Sequence, residues 1–181
     1  MIQQTKFFIK DVTRMLGKYK IRMIHIWLSR AFWGIFIYRL ERGLYLTIGR
    51  PYEIILIILI PFFNLIQAYS NIEIHYKADI GPGLLIFHPS VGIVISGHSK
   101  IGSNLSLTGG NIIGAKDGCL PGGIVIGNDC NLGANAVILG PVQLGNNIKI
   151  GASGCVLKDF LTDGAILVGV PAKILDKNFI K

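Results

Sequence analysis

The stretch Ile126–Val156, IGNDCNLGANAVILGPVQLGNNIKIGASGCV, carries a branched or long aliphatic side chain at every sixth residue: Ile126, Leu132, Ile138, Leu144, Ile150 and Val156. Glycine follows the anchor directly at 127, 133, 145 and 151, and one residue later at 140. The fourth residue after each anchor is compact or apolar (Cys130, Ala136, Val142, Ile148, Gly154). Two shorter runs with the same spacing lie upstream, Ile74–Ile80–Ile86 and Ile101–Leu107–Ile113. Six residues suit one short strand plus a turn, and three such units close a triangular coil of about 18 residues. The anchors stack inside, while Gly, Asn and Asp take the corners, where positive φ is tolerated. No coil buries its apolar edge alone, so stability comes from stacking on neighbours. The expected fold is mainly β, a parallel β-helix; sandwich strands would not keep phase.

The interruptions of this period are informative. One lies between His88 and Ile93, one between Ile93 and Ile101, and the largest spans the 13-residue interval from Ile113 to Ile126. The last contains Lys116, Asp117, Gly118, Cys119, Leu120 and Pro121, and is expected to be a loop thrown out from the coil. Such loops commonly frame sites.

Outward from the repeat the chain changes character. Of 181 residues, 51% are apolar and only 15% charged, and 23 are glycine, which excludes a disordered chain and an ordinary helical bundle. The net charge of +8 sits wholly in residues 1–50, where ten Lys and Arg face two acids, Asp11 and Glu41. Residues 5–45 show helical spacing, with Ile24, Trp27, Leu28, Ala31, Phe32, Ile35 and Phe36 recurring at three and four, and Gly17, Gly34 and Gly43 marking breaks. Pro51 opens a second helix through the run Ile54–Ile60, with Pro61 as its kink or stop. That run falls short of the about 20 apolar residues that a bilayer crossing needs.

The division expected is a helical N-terminal segment (1–70), the coil domain (71–175) and a tail (176–181). Two readings of residues 1–70 stand open: a cap packed on the coil and on other subunits, or a basic, aromatic-rich surface seated on anionic lipid. Nucleic acid is not expected as a partner, because the basic residues sit among bulky aliphatics. The three cysteines, Cys119, Cys130 and Cys155, form no CxxC pair, and no secretory signal is read at the start. Both point to reduced thiols in the cytoplasm, with the inner face of the membrane as the place the lipid reading would add.

Four histidines are present: His25, His75, His88 and His98. A His is the natural general base, since its ordinary pKa of about 6.5 leaves much of it neutral at cellular pH. His88 lies where the repeat breaks, and Glu73 precedes it by 15 residues, slightly less than one turn of the coil. That separation can bring the carboxylate beside the ring; the alternative is a solvated strand residue and a plain corner residue.

The stretch Ile72–Ile174 resembles the serine acetyltransferase branch of the hexapeptide acyltransferases. The strings that carry the likeness are IEIHYKADIGPGLLIFH, GIVIS, KIGSNLSLTGGNIIG, NLGANAVILGPVQLGNNIKIGASGCVLKD and GVPAKI. The resemblance implies a left-handed β-helix, acetyl-CoA as co-substrate, and a homotrimer or a dimer of trimers. It implies that Glu73 and His88 form the catalytic pair, with Glu in place of the family's usual Asp. It places the coenzyme in a groove beside the coil where neighbouring subunits meet, against backbone at Gly114, Ala134 and Ala152. Lys158 and Lys173 fall toward the end that receives the coenzyme phosphates. No metal is expected.

Two departures from the family bear on the acceptor. Phe87 stands where the family has an Asp before the catalytic His, and Gly122–Gly123 stand where it has an Arg-His pair. Those groups read the charges of serine, so their replacement predicts a sugar or glycan hydroxyl as acceptor, in polysaccharide biosynthesis, with Phe87 and His75 as candidate acceptor contacts. The rivals are a serine O-acetyltransferase of cysteine biosynthesis, a zinc hydratase on the same coil, and a non-catalytic scaffold.

Overall fold

A computed structural model describes residues 1–175; the tail 176–181 expected from the sequence lies outside the described residues. Three helices come first: α1 (Ile2–Leu16), α2 (Arg30–Ile48) and α3 (Tyr52–Ser70), with two short 3-10 turns, Lys20–Ile24 and Ile26–Leu28, between α1 and α2. Gly17 and Gly49 end α1 and α2 with φ of 57° and 73°, a backbone that glycine adopts without strain. Gly34 and Gly43 do not break the chain but lie inside α2. At Gly34 the reason is packing: a Cβ there would lie 2.7 Å from Cβ of Ile72, so its absence lets α2 approach the first strand of the coil. Nor does Pro61 stop α3, which runs on through it. Phe63, two residues beyond and 3% exposed, pins the second half of the helix to the body. The 19 residues of α3 are together long and apolar enough to cross a membrane by length and composition, which the run Ile54–Ile60 alone is not.

The rest is a left-handed parallel β-helix of about five turns. Its first face stacks β1 (Ile72–Ile74), β4 (Ile93–Ile95), β7 (Asn111–Ala115), β10 (Val137–Gly140) and β13 (Cys155–Val156). The second stacks β2 (Asp79–Ile80), β5 (Ser99–Ile101), β8 (Ile124–Ile126) and β11 (Val142–Leu144). The third stacks β3 (Leu85–Ile86), β6 (Ser106–Leu107), β9 (Asn131–Leu132), β12 (Lys149–Ile150) and β14 (Ile166–Val168), closed by the antiparallel β15 (Lys173–Ile174).

The register turns the six-residue period into columns. Ile86, Leu107, Leu132, Ile150 and Leu167 form one, and Ile74, Ile95, Ile113, Ile138 and Val156 another, every member at most 3% exposed. Because Ile95 and not Ile93 continues the column of Ile74, the two upstream phase breaks reduce to a single insertion at the corner His88–Gly92. Corner residues Asn104, Asp129, Asn135, Asn147 and Ser153 have φ between 57° and 63°, as a tight turn of short polar side chains permits. Cys130 is 1% exposed in the interior, and burial pushes its thiol pKa up.

The helices meet the coil through side chains that serve its first turn. Asp11, fully buried, accepts from the Gly83 and Leu84 amides at 2.6 and 2.8 Å and pairs with Arg39 at 2.8 Å. Arg39 in turn donates to the Ile80 and Gly81 carbonyls, both at 2.7 Å. Tyr38 Oη donates to the Ala78 carbonyl and accepts from the Ile80 amide. Arg14 reaches the Gly83 and Leu105 carbonyls, and Arg42 those of Tyr76 and Lys77. Burial raises the Asp11 carboxyl above its ordinary range, while Arg39 and the two amides pull the other way.

Candidate active site

The corner between the third and first faces is built on glycine. His88 leaves β3 with its amide donating to the Thr108 carbonyl at 2.9 Å, and Pro89–Val91 then form a 3-10 turn. Beneath it Gly109 has φ of 145°, and a Cβ there would lie 2.5 Å from the His88 carbonyl oxygen. Only glycine lets the second coil come this close under the histidine. The buried Asn111, 1% exposed, fastens the stack: Oδ1 accepts from the Gly109 amide at 2.9 Å, and Nδ2 donates to the Gly133 and Ala136 carbonyls at 2.7 and 3.3 Å. His88 itself is exposed, as is Phe87 before it, at 53%.

Ala134 and Ala152 lie on this same edge. The Ser153 amide donates to the Ala134 carbonyl at 2.8 Å, which sets the two alanines one turn apart. From the His88 corner to that of Ala152 is three turns, about 14 Å at about 4.8 Å per strand step. Gly114 lies elsewhere, near the end of β7 beside the loop 116–123, opposite Leu139. Lys158 and Lys173 are exposed in the last turn, Lys158 Nζ resting 5.6 Å from the Phe160 ring centre.

Glu73 points outward from the middle of β1, in register with Val94. Among the described residues no hydrogen bond or ion pair joins it to His88. The two are linked indirectly instead: Asn71 beside β1 donates through its side-chain Nδ2 to the Ser90 carbonyl, and the Ile93 amide donates to the Asn71 carbonyl. Glu73 borders two cavities. One, of about 500 Å³, runs under α3 and the corner loop, with Asn64, Asn71 and Ser90 on its walls. The other, of about 790 Å³, holds His75, His98, Arg42, Asp79 and Lys100 and ends on Gly122.

His75 is stacked 4.5 Å from Tyr76, and its Nδ1 accepts from the Lys77 amide, which leaves the ring proton on Nε2. Burial, then Lys77 and His98, lower its pKa against the opposing pull of Glu73. His98 is held by Ser96, whose Oγ lies 3.1 Å from Nδ1. Arg42 pairs with Asp79 at 3.2 Å. Among the described residues no group of three His, Cys, Asp or Glu side chains is placed to hold a metal ion.

The coil has relatives of known chemistry. The hexapeptide repeat of succinyl-transferase matches residues 123–158. The serine acetyltransferase of Helicobacter pylori (strain J99) is 36% identical over 117 residues, covering 64% of this chain and 67% of that protein. The chain belongs to the serine acetyltransferase family. The enzyme of Mycobacterium tuberculosis is 30% identical over 115 residues, or 62% of this chain and 48% of its own length. The crystal structure of the Neisseria gonorrhoeae serine acetyltransferase superimposes on 96% of this chain and 67% of its own, with a TM-score of 0.80 and 27% identity. The likeness thus takes in the helices as well as the coil. As a serine acetyltransferase relative the chain is an acyltransferase with acetyl-CoA as its co-substrate.

These relatives overturn the expectation of a sugar or glycan acceptor and of a place in polysaccharide biosynthesis. Loss of charge at Phe87, Gly122 and Gly123 is therefore not enough to assign a sugar acceptor. Gly122 borders the cavity that also holds Lys100, Glu73 and the Arg42–Asp79 pair. Asn111 and Gly109 are site-building residues that the six-residue period does not mark; their trace in the sequence is the string TGGN, where an Asn enters a strand at an inward position.

Proposed function

We propose that this protein is a serine O-acetyltransferase, transferring the acetyl group of acetyl-CoA to the hydroxyl of L-serine. The observation that carries the proposal is the exposed His88, fixed by Gly109 on the coil edge that also bears Ala134 and Ala152. The relatives' shared activity gives that edge its chemistry. His88 takes the serine hydroxyl proton as the oxygen attacks the thioester carbonyl. A tetrahedral oxyanion forms and is held by backbone N–H groups. It collapses with cleavage of the carbon–sulfur bond, and the imidazolium returns its proton to the coenzyme thiolate. The products are O-acetylserine and coenzyme A. Lys158 and Lys173 lie in the last turn, on the side expected to meet the coenzyme phosphates.

Glu73 acts as the positioning carboxylate, and the site is completed in a trimer. The outward row of the first face, where Glu73 stands, continues as Val94, Ile112, Val137 and Cys155, an apolar strip suited to a second copy. The cavity beside it holds Lys100 and Glu73 along with the Arg42–Asp79 pair, charges of both signs for a zwitterionic amino acid.

Thiol release from acetyl-CoA, measured with L-serine, nucleotide sugars and oligosaccharides, tests this reading. L-Serine should support turnover, and His88→Ala should lower it by a factor on the order of a hundred to ten thousand. Failure of L-serine in the trimeric wild type, or an undiminished His88→Ala enzyme, overturns it.

A further inference from the structure

The side of α3 turned away from α2 is apolar and uncovered. Ile54, Ile58 and Leu65 are 70, 80 and 71% exposed and fall on one stripe of the helix, about 16 Å long at about 1.5 Å per residue. The stripe continues at its far end. Tyr69 Oη donates to the Leu28 carbonyl, which brings the turn containing Ile24, Trp27 and Leu28, each more than half exposed, against the end of α3. A water-facing patch of this size is uncommon unless something else covers it.

The charges around the stripe say what covers it. Arg50 stands just before α3 and Arg30 lies 5.8 Å from the Tyr69 ring centre, so exposed arginines flank the stripe at both ends. The two acids of residues 1–50 are withdrawn, Asp11 at 0% and Glu41 at 4% exposure. Glu53, at the start of α3, is tied to Lys77 at 2.9 Å. An apolar stripe rimmed by cations, with an exposed tryptophan at one end, matches an anionic bilayer surface. A second copy docking through the same face would set arginine against arginine, with no free acid of the segment to answer them.

We propose that the face formed by α3 and the Ile24–Leu28 turn seats this protein on anionic lipid, with α3 lying in the plane of the membrane surface. The helix does not cross the bilayer. Tyr52 and Phe63 on its other side are buried at 0 and 3%, and only Asn71 separates Ser70 from β1. Crossing would strip α2 of its cover and pull the first strand from the coil. Ile54, Ile58 and Leu65 do not line the cavity between α3 and the His88 corner, so the proposal stands whichever acceptor the enzyme uses.

Flotation of the full-length protein with vesicles tests it, one set of phosphatidylcholine alone and one with a quarter phosphatidylglycerol. Wild type should float with the anionic vesicles and stay behind with the neutral ones. Ile58→Glu/Leu65→Glu and Arg30→Glu/Arg50→Glu should each weaken binding by about tenfold or more. Their circular dichroism and acetyl-CoA turnover should match wild type, which separates loss of binding from loss of fold. Wild type failing to float with anionic vesicles, or both variants floating as it does, overturns the proposal. So does a variant whose mass by light scattering falls while its flotation is unchanged, since the face would then join copies of the chain.

Discussion

Arg39→Met removes in one step the counter-charge of Asp11 and the donors that reach the Ile80 and Gly81 carbonyls. Methionine fills much of the vacated stem but donates nothing. Asp11 stays buried, still bonded to the Gly83 and Leu84 amides but with no cation beside it. Removing one partner of a buried pair costs about 3–5 kcal/mol. For a chain of this size each kcal/mol moves the midpoint by about 2–4 °C, so thermal unfolding should fall by roughly 6–20 °C. Far-UV circular dichroism on wild type, Arg39→Met, Asp11→Asn and the double variant completes a cycle. Asparagine keeps the acceptor without the charge, so the double variant should melt above Arg39→Met alone. An Arg39→Met protein melting within about 2 °C of wild type would refute the reasoning. A double variant as unstable as the two losses added would do the same.

Gly109→Ala forces a side chain against the His88 carbonyl in a backbone region that alanine rarely adopts. It should cut kcat on the order of tenfold to a hundredfold, with little change in KM for acetyl-CoA, and steady-state kinetics read the split. Gly34→Ala sets a Cβ against Ile72 and should cost about 1–3 kcal/mol in denaturant melts despite its better helix propensity. Burial raises the Glu41 carboxyl from 4.5 to about 7, outweighing the hydrogen bond from Tyr52. A raised folded pKa gives stability that is full below the unfolded value and lost as pH climbs to the folded one. At about 1.4 kcal/mol per pH unit the loss approaches about 3 kcal/mol. Glu41→Gln should therefore melt higher than wild type at about pH 8 and flatten the dependence below it. Lys158→Ala and Lys173→Ala should each raise KM for acetyl-CoA several-fold at unchanged kcat; unaltered KM in both would remove them from the coenzyme site.

What the sequence made legible follows from how local each feature is. The anchors Ile74, Ile80 and Ile86 recur every six residues, so period alone places them inside, and the parallel register follows from stacking like positions of successive turns. The corner carrying His88 was marked by the break in that period, although taking Ile93 for an anchor split one insertion into two. The helices were harder to bound, because Gly34 looks like a breaker until Ile72 is seen packed against it. Least visible were the bonds from Asp11 to Gly83 and from Asn111 to Ala136, whose partners are far apart along the chain. The acceptor was not legible from Phe87 and Gly122 alone, because sequence does not show which charges the fold gathers around a position; at Gly122 they come from α2 and β2.

The side chains of Asp11, Arg14, Tyr38, Arg39 and Arg42 occupy amides and carbonyls of residues 76–84 on the outer rim of the first turn. At the other rim β15 turns back antiparallel, and the Ala172 amide takes up the Cys155 carbonyl. An open stack of parallel turns is a template on which another chain's strands can add without limit. Among the described residues both rims are engaged by the chain's own groups, helix side chains at one and an antiparallel strand at the other. A parallel turn added at either rim would have to displace them, so a handful of polar bonds at its margins works against end-to-end fibre growth of this glycine-rich solenoid.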